Sequence, residues 1–434
     1  MTLLGSGERR GNVLDTDMEV HQVPRTWQRP ASPRSRLLTS LAAAAVAAVG
    51  FGAFASLASA GTVSAPRGPS GLAFYNPPSN LPSGPHGTLI WQRPAGGLVP
   101  LTDAAHTKLV LYTSRTPQGN VDAVSGSVSI PKGKPPKGGW PVITYAHGTT
   151  GSADICAPSR VHTGSPAESL ITYVDPQLNA WVRAGYAVVR TDYQGLGTPG
   201  PHPYLIGKAE GRSVLDIVRA AQQVFPGIGH RYLIAGHSQG GQAALFAAGE
   251  ASSWVPNLNL KGTVSYAPAS HLLTQAKALP ALTTPSSLTA LATMIVQGTT
   301  TASKNMDPNK LLTPQVQQFY PLLDQTCLPQ LGQTRRLGGI APADMLTKAN
   351  KGPIYRVLDG ENPAVTTDAP VFLAQGTADT TVFPQFTTQL SNELKGLGDQ
   401  VRYQMFHGVD HGHIVSAAEP DVLPWFENRL PPKG

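Results

Sequence analysis

The sequence predicts an α/β domain: a mostly parallel sheet covered by helices on both faces, with a helical insertion on its C-terminal half. Three observations carry this. Short uninterrupted apolar runs alternate with helical patterns from about residue 106 onward, as strands buried on both faces require. One apolar run, "RYLIAG", passes straight into a helical stretch through Gly236-His237-Ser238-Gln239-Gly240. Between "APAS" (267–270) and "APVFLAQG" (369–376), a long segment rich in Leu, Thr, Ala and Pro shows helical fragments and no strand.

The elements follow in order. "TKLVLYTSR" and "AVSGSVSIP" read as antiparallel partners joined by the turn "TPQGN". "WPVITYAHG" is a buried strand ending in His-Gly, "LNAWVRAGY" is helical, and "YAVVRTDYQGLG" opens with another buried strand. "RSVLDIVRAAQQV" is an amphipathic helix, and "RYLIAG" leads into the helix "HSQGGQAALFAAGEA". "GTVSYAPAS", "APVFLAQG" and "VRYQMFHG" supply three more strands, with helices at "PQFTTQLSNELKGL" and near the C-terminus. A structureless loop of the inserted length does not fit a compact domain, so residues 271–365 are expected to form a cap within a domain of residues 88–434. Residues 61–87, rich in Pro, Gly and Ser, are expected to be a linker or an N-terminal wrap.

Composition excludes some functions. The chain of 434 residues is 41% hydrophobic and 14% charged, with 45 Gly and 40 Pro, which fits a loop-rich domain with a full core. A net charge of +7 without Lys/Arg runs argues against nucleic-acid binding. Arginines ahead of "LLTSLAAAAVAAVGFGAFASLASA" read as a secretory signal with a long leading region, cleaved after Ala60. An uncleaved membrane anchor is the rival reading. The only cysteines, Cys156 and Cys327, suggest one disulfide in an exported protein, against two buried thiols. They lack zinc spacing, and neither a metal nor a cofactor is expected.

The Gly-x-Ser-x-Gly stretch carries the chemistry. A serine on a sharp strand-to-helix turn needs glycines two residues before and after it, because strand and helix approach closely there. The helix N-terminus also favours negative charge developing at the serine. Ser238 is therefore the candidate nucleophile. A serine hydroxyl needs a base held by a third group. Asp379, three residues past the strand ending at Gly376, is the candidate acid; Asp368 precedes that strand and sits at the wrong end. "RYQMFHGVDHGHIV" offers His407, His411 and His413. His411, in the loop beyond the strand, is the candidate base, with His407 expected to pack at the strand end or anchor the loop and His413 expected in the first turn of the last helix. Backbone N–H groups of Gln239 and Thr149 are the candidate oxyanion donors, with Thr150 next. His147 and His237 are expected to orient loops, and Asp192, Gly195 and Gly197 to fix the loop after their strand.

Taken together, "YAHGTTGSADICAPS", "TDYQGLGTPGPHPYLIG", "GHSQGGQAAL", "GTADTTV" and "VDHGHI" resemble the secretory lipases of the α/β-hydrolase superfamily, over roughly residues 70–430. The resemblance implies an α/β-hydrolase fold with a helical cap and carboxylester hydrolysis through Ser238, Asp379 and His411. It also implies a Cys156–Cys327 disulfide to the cap. The yeast members are thought to place an acidic residue in the oxyanion loop, where this chain has "HGTTG". The expected partner is a small-molecule or lipid ester, with lipid-interface association open and no signal for oligomeric state. The rival functions are acyl transfer to a cell-envelope alcohol, peptide hydrolysis, and binding without catalysis.

Overall fold

The computed structural model describes residues 66–303 and 305–432. The expected signal segment and its cleavage site lie outside them. Among the described residues no helix is long and apolar enough to cross a membrane.

Nine strands form one sheet in the order β1-β2-β3-β5-β4-β6-β7-β8-β9. They are β1 (Leu89–Pro94), β2 (His106–Arg115), β3 (Val121–Ile130), β4 (Trp140–Ala146), β5 (Ala187–Thr191), β6 (Ile228–His237), β7 (Asn259–Tyr266), β8 (Val371–Gly376) and β9 (Val401–Phe406). β2 and β3 pair antiparallel from Arg115↔Val121 to His106↔Ile130, as the "TPQGN" turn predicts. β3 meets β5 antiparallel, and β4 to β9 are parallel throughout. Strand β1 is not visible as a strand in the sequence. It is an edge strand with a bulge between Leu89 and Trp91 and a terminal proline, so it shows no clean alternation.

Strands β4, β5 and β8 are buried at every residue because both faces of the sheet are covered. Val142, Ile234 and Val189 face helices α2 (Gly207–Val224) and α3 (Gln239–Trp254). Ile143, Leu233 and Val188 face α1 (Asp175–Ala184) and α8 (Ile414–Arg429). Successive side chains of a strand point to opposite faces, so each strand feeds both cores. Helix α1 stops at Gly185, whose φ of 112° lets its N–H reach back to Trp181 O and Val182 O.

Residues 66–87 are a wrap and not a spacer. Phe74 and Tyr75 are buried, the Tyr75 hydroxyl donates to Ser159 O at 2.7 Å, and Trp91 Nε1 donates to Phe74 O at 3.0 Å. His86 pairs with the buried Asp216 of α2 and stacks on Trp254. The Pro/Gly composition obscured these aromatic anchors.

The insertion between β7 and β8 is helical, with α4 (Leu272–Ala278), α5 (Leu288–Ala302) and α6 (Gly352–Asp359) as its main elements. It has its own core, including Met294, Leu323, Leu331, Leu337 and Met345. It is fastened to the body at two places. One is the disulfide Cys156–Cys327, with Cα atoms 5.6 Å apart, beside the bond from Leu328 N to Thr150 O at 2.9 Å. The other joins both ends of the insertion. His271 N donates to Asn362 Oδ1 at 3.1 Å, and both residues bond Glu393 of α7 (Pro384–Gly396), through His271 Nε2 at 3.0 Å and Asn362 Nδ2 at 2.9 Å.

Next to this seam, Glu361 Oε2 accepts from Gly207 N at 2.7 Å. Burial pushes the Glu361 carboxyl up from 4.5 to about 7. Between those values the folded chain holds a proton that the unfolded chain has lost, so stability falls as pH rises through this window. Glu361→Gln stays neutral and keeps an acceptor. Its Tm relative to the parent is expected to be higher at pH 8 than at pH 5; a pH-independent difference between the two melting curves would contradict this.

Candidate active site

Strand β6 ends at His237 and α3 starts at Gln239, leaving Ser238 alone on the turn at φ 60°, ψ −116°. Side chains other than glycine rarely hold this backbone, and where they do the surroundings impose it. Here Ser238 N donates to Tyr266 O at 2.9 Å, and Ser238 O accepts from Gln242 N and Ala269 N, both at 3.1 Å. The motif glycines have a measurable reason. A Cβ on Gly236 would lie 2.0 Å from Gly240 O, and one on Gly240 would lie 1.9 Å from Ala146 O. Any larger residue would push the helix off the sheet.

Asp379 lies just past β8 and is buried. Its Oδ1 accepts from Thr381 N at 2.8 Å and Val382 N at 2.9 Å; its Oδ2 accepts from Gln375 Nε2 at 3.0 Å. The same Oδ2 is 2.7 Å from His411 Nδ1. The loops carrying the pair are knit together: Ala378 N donates to Val409 O at 3.0 Å, and a Cβ on Gly376 would lie 2.2 Å from that oxygen. A proton on His411 Nδ1 directed at the carboxylate leaves Nε2 as the acceptor.

The other two histidines separate from this pair. His413 is 77% exposed and bonds Asp410 at 2.7 Å, at the start of α8. His407 is exposed and does not pack against the strand end, contrary to expectation, because it lies in the exposed turn that follows Phe406 at the end of edge strand β9. No cluster of three His, Cys, Asp or Glu side chains able to hold a metal is present among the described residues.

Ser238, His411 and Thr149 line one cavity of about 920 Å³. Its walls are largely aliphatic and aromatic: Leu272 from α4, Leu291 and Ile295 from α5, Leu358 from α6 and Phe386 from α7. The insertion therefore roofs the serine. Thr149 Oγ1 is 2.8 Å from the Tyr204 hydroxyl. Gln239 sits in the first turn of α3, where backbone N–H groups have no partner within the helix. Thr150 is buried and belongs to the attachment of Cys327.

The flanking histidines are held neutral. Burial lowers His147 to about 4, and its ring bonds Gly148 O at 2.7 Å. Burial also lowers His237 well below its usual value, helped by neighbouring His411; its Nδ1 meets the Tyr173 hydroxyl. Its ring lies 4.6 Å from that of His411, so a neutral His237 adds no positive charge beside it. Asp192 is buried, accepts from Ser125 Oγ at 2.6 Å and Ser159 N at 2.8 Å, and so fixes the loop after β5.

Three residues near the serine escaped the sequence reading: His202, Tyr204 and Glu210, all buried. Their sequence signal is the run "GPHPYLIG" ahead of a helix whose first turn carries a glutamate on an otherwise apolar face.

Comparison with known proteins agrees with this architecture. The family model for secretory lipases matches residues 161–318, and that for the prolyl oligopeptidase family matches residues 343–429. Lipase A of Moesziomyces aphidis is 29% identical over 197 residues, covering 44% of this chain and 41% of that protein. A probable inactive lipase of Mycobacterium tuberculosis is 28% identical over 213 residues, covering 47% and 46%. The chain thus matches less than half the length of these relatives. The closed-state structure of Candida antarctica lipase A superposes with a TM-score of 0.67 at 21% identity, covering 78% of this chain and 80% of that one. At that identity the likeness speaks for the fold.

Proposed function

We propose that this chain is an exported serine carboxylic ester hydrolase of the secretory lipase family, a reading supported by the partial matches to that family's model and to Lipase A. The observation that carries the proposal is the convergence of Ser238 on its strained turn and the Asp379-bound His411 at the wall of one apolar cavity. Ser238 Oγ attacks the ester carbonyl while His411 Nε2 takes its proton. Asp379 holds the imidazolium, and the N–H groups of Gln239 and Thr149 stabilise the oxyanion. His411 returns the proton to the leaving alcohol, then activates water to release the acid. No step calls for a metal or an organic cofactor. The largely apolar cavity favours an acyl chain over a peptide, whose amides would go unpaired against such walls. That weighs against the peptidase reading raised by the match over residues 343–429.

A panel of p-nitrophenyl esters from acetyl to long acyl, a triglyceride emulsion and matched anilides tests this. The ester substrates are expected to turn over and the anilides to be poor. Anilide hydrolysis matching or exceeding ester hydrolysis would contradict it.

A further inference from the structure

The segment Tyr193–Ile206 is buried along most of its length, and its backbone is held at positive φ at two non-glycine positions, Tyr193 (68°) and Leu205 (57°). Such conformations persist only where many contacts over-determine them. The contacts here run to both sides of the oxyanion site. At one side, the Tyr193 hydroxyl donates to His147 O at 2.9 Å and the Tyr204 hydroxyl lies 2.8 Å from Thr149 Oγ1. At the other, the Gln239 side-chain amide is 3.0 Å from His202 Nε2 and 2.6 Å from Glu210 Oε1. That same carboxyl oxygen accepts Leu205 N at 3.0 Å, so it also pins the strained end of the segment. His202 Nδ1 is 2.9 Å from Gln194 O within the segment.

Proton positions follow from these partners. His202 Nδ1 faces a carbonyl and carries the proton, so Nε2 accepts one Gln239 hydrogen while Glu210 accepts the other. Burial lowers His202 to about 4 and pushes the Glu210 carboxyl well up. Burial thus works against charge on both groups, so the cluster that holds Gln239 disfavours a charge beside the oxyanion. A full negative charge there would oppose the developing one.

We propose that the segment Tyr193–Ile206 is the common brace of the oxyanion site, with the Tyr204 hydroxyl positioning Thr149 and the Glu210 carboxyl positioning Gln239. The inference rests on the ester-hydrolase reading above. The Glu210 carboxyl bonds Gln239 and the Tyr204 hydroxyl bonds Thr149, so each acts through another residue. Each fixes a residue whose N–H must point at an oxygen that exists only in the transition state, so its loss falls on kcat and not on substrate binding. A contact that merely held the fold would instead lower the amount of active protein.

The test compares Tyr204→Phe, Glu210→Leu and Glu210→Gln with the parent, using a soluble p-nitrophenyl ester. Rates are expressed per serine titrated by a fluorophosphonate endpoint. Tyr204→Phe and Glu210→Leu are expected to lower kcat about 10-fold or more, with KM within about twofold, since loss of a whole oxyanion donor costs about 10²–10³. Affinity for a trifluoromethyl ketone is expected to fall by the same factor as kcat/KM. Glu210→Gln keeps an acceptor for Gln239 and Leu205 N, with its carbonyl in place of Oε1, and is expected to restore kcat to within about threefold of the parent. Unchanged kcat per titrated serine in Tyr204→Phe overturns the brace, even if Glu210→Leu does not fold. A Glu210→Gln as slow as Glu210→Leu, or a loss confined to KM, also overturns it. A parent protein without ester turnover overturns the hydrolase reading itself, a result distinct from active variants in an active parent.

Discussion

Ser238→Ala is expected to abolish ester turnover, lowering kcat by about 10⁵–10⁶-fold, because removing the nucleophile of such a triad costs about as much as removing the whole triad. The variant should fold, since the backbone of Ser238 is held by bonds from its own N–H and to its own carbonyl, which alanine keeps. Burst-phase acylation with a p-nitrophenyl ester should vanish together with steady-state turnover. Retained activity above roughly 1% of the parent would remove Ser238 from the mechanism. The strained turn supplies an internal control. Ser238→Gly accepts φ 60°, ψ −116° without a Cβ penalty, so it should melt above Ser238→Ala while being equally inactive.

His411→Ala is the second large effect, with an expected fall in kcat of about 10⁵–10⁶-fold. The neighbouring substitutions sharpen it. His413→Ala loses an exposed pairing with Asp410, and His407→Ala alters an exposed edge-strand residue, so both are expected to keep kcat/KM within about threefold of the parent. Asp379→Asn should fall between, near a 10⁴-fold loss, because an amide at the position of Oδ2 favours the wrong imidazole tautomer. A silent His413→Ala beside an active His411→Ala would reverse the assignment.

Much of this was legible in the sequence because it rests on local chemistry. Apolar runs buried on both faces announce themselves, and the glycines around Ser238 are demanded by contacts of about two ångströms that no other residue survives. Asp379 and His411 were sought where strand ends fix the start of loops, and the structure sets their side chains 2.7 Å apart. The insertion was visible as an interruption of rhythm. What the sequence hid depends on tertiary partners. Strand β1 is an edge strand with a bulge, and Phe74 and Tyr75 sit in a Pro/Gly context whose composition resembles a linker. His407 was expected to pack at the strand end or anchor the loop, but the turn that holds it, after the edge strand, is exposed. The cluster of His202, Tyr204 and Glu210 escaped because a buried glutamate in a first helical turn reads as an ordinary N-terminal acid until Gln239 is seen against it.

The Cys156–Cys327 bridge spans 171 residues of sequence, yet at its body end it is only a few residues from Thr149. It ties the roof of the cavity to the loop that faces the serine, and Gly151, at φ 148°, leaves room for the sulfur between them. The roof therefore cannot lift away as a free flap: any opening must pivot about this tether or carry the Thr149 loop with it. Movement of the roof and movement of the loop carrying Thr149 are thus joined at one covalent point.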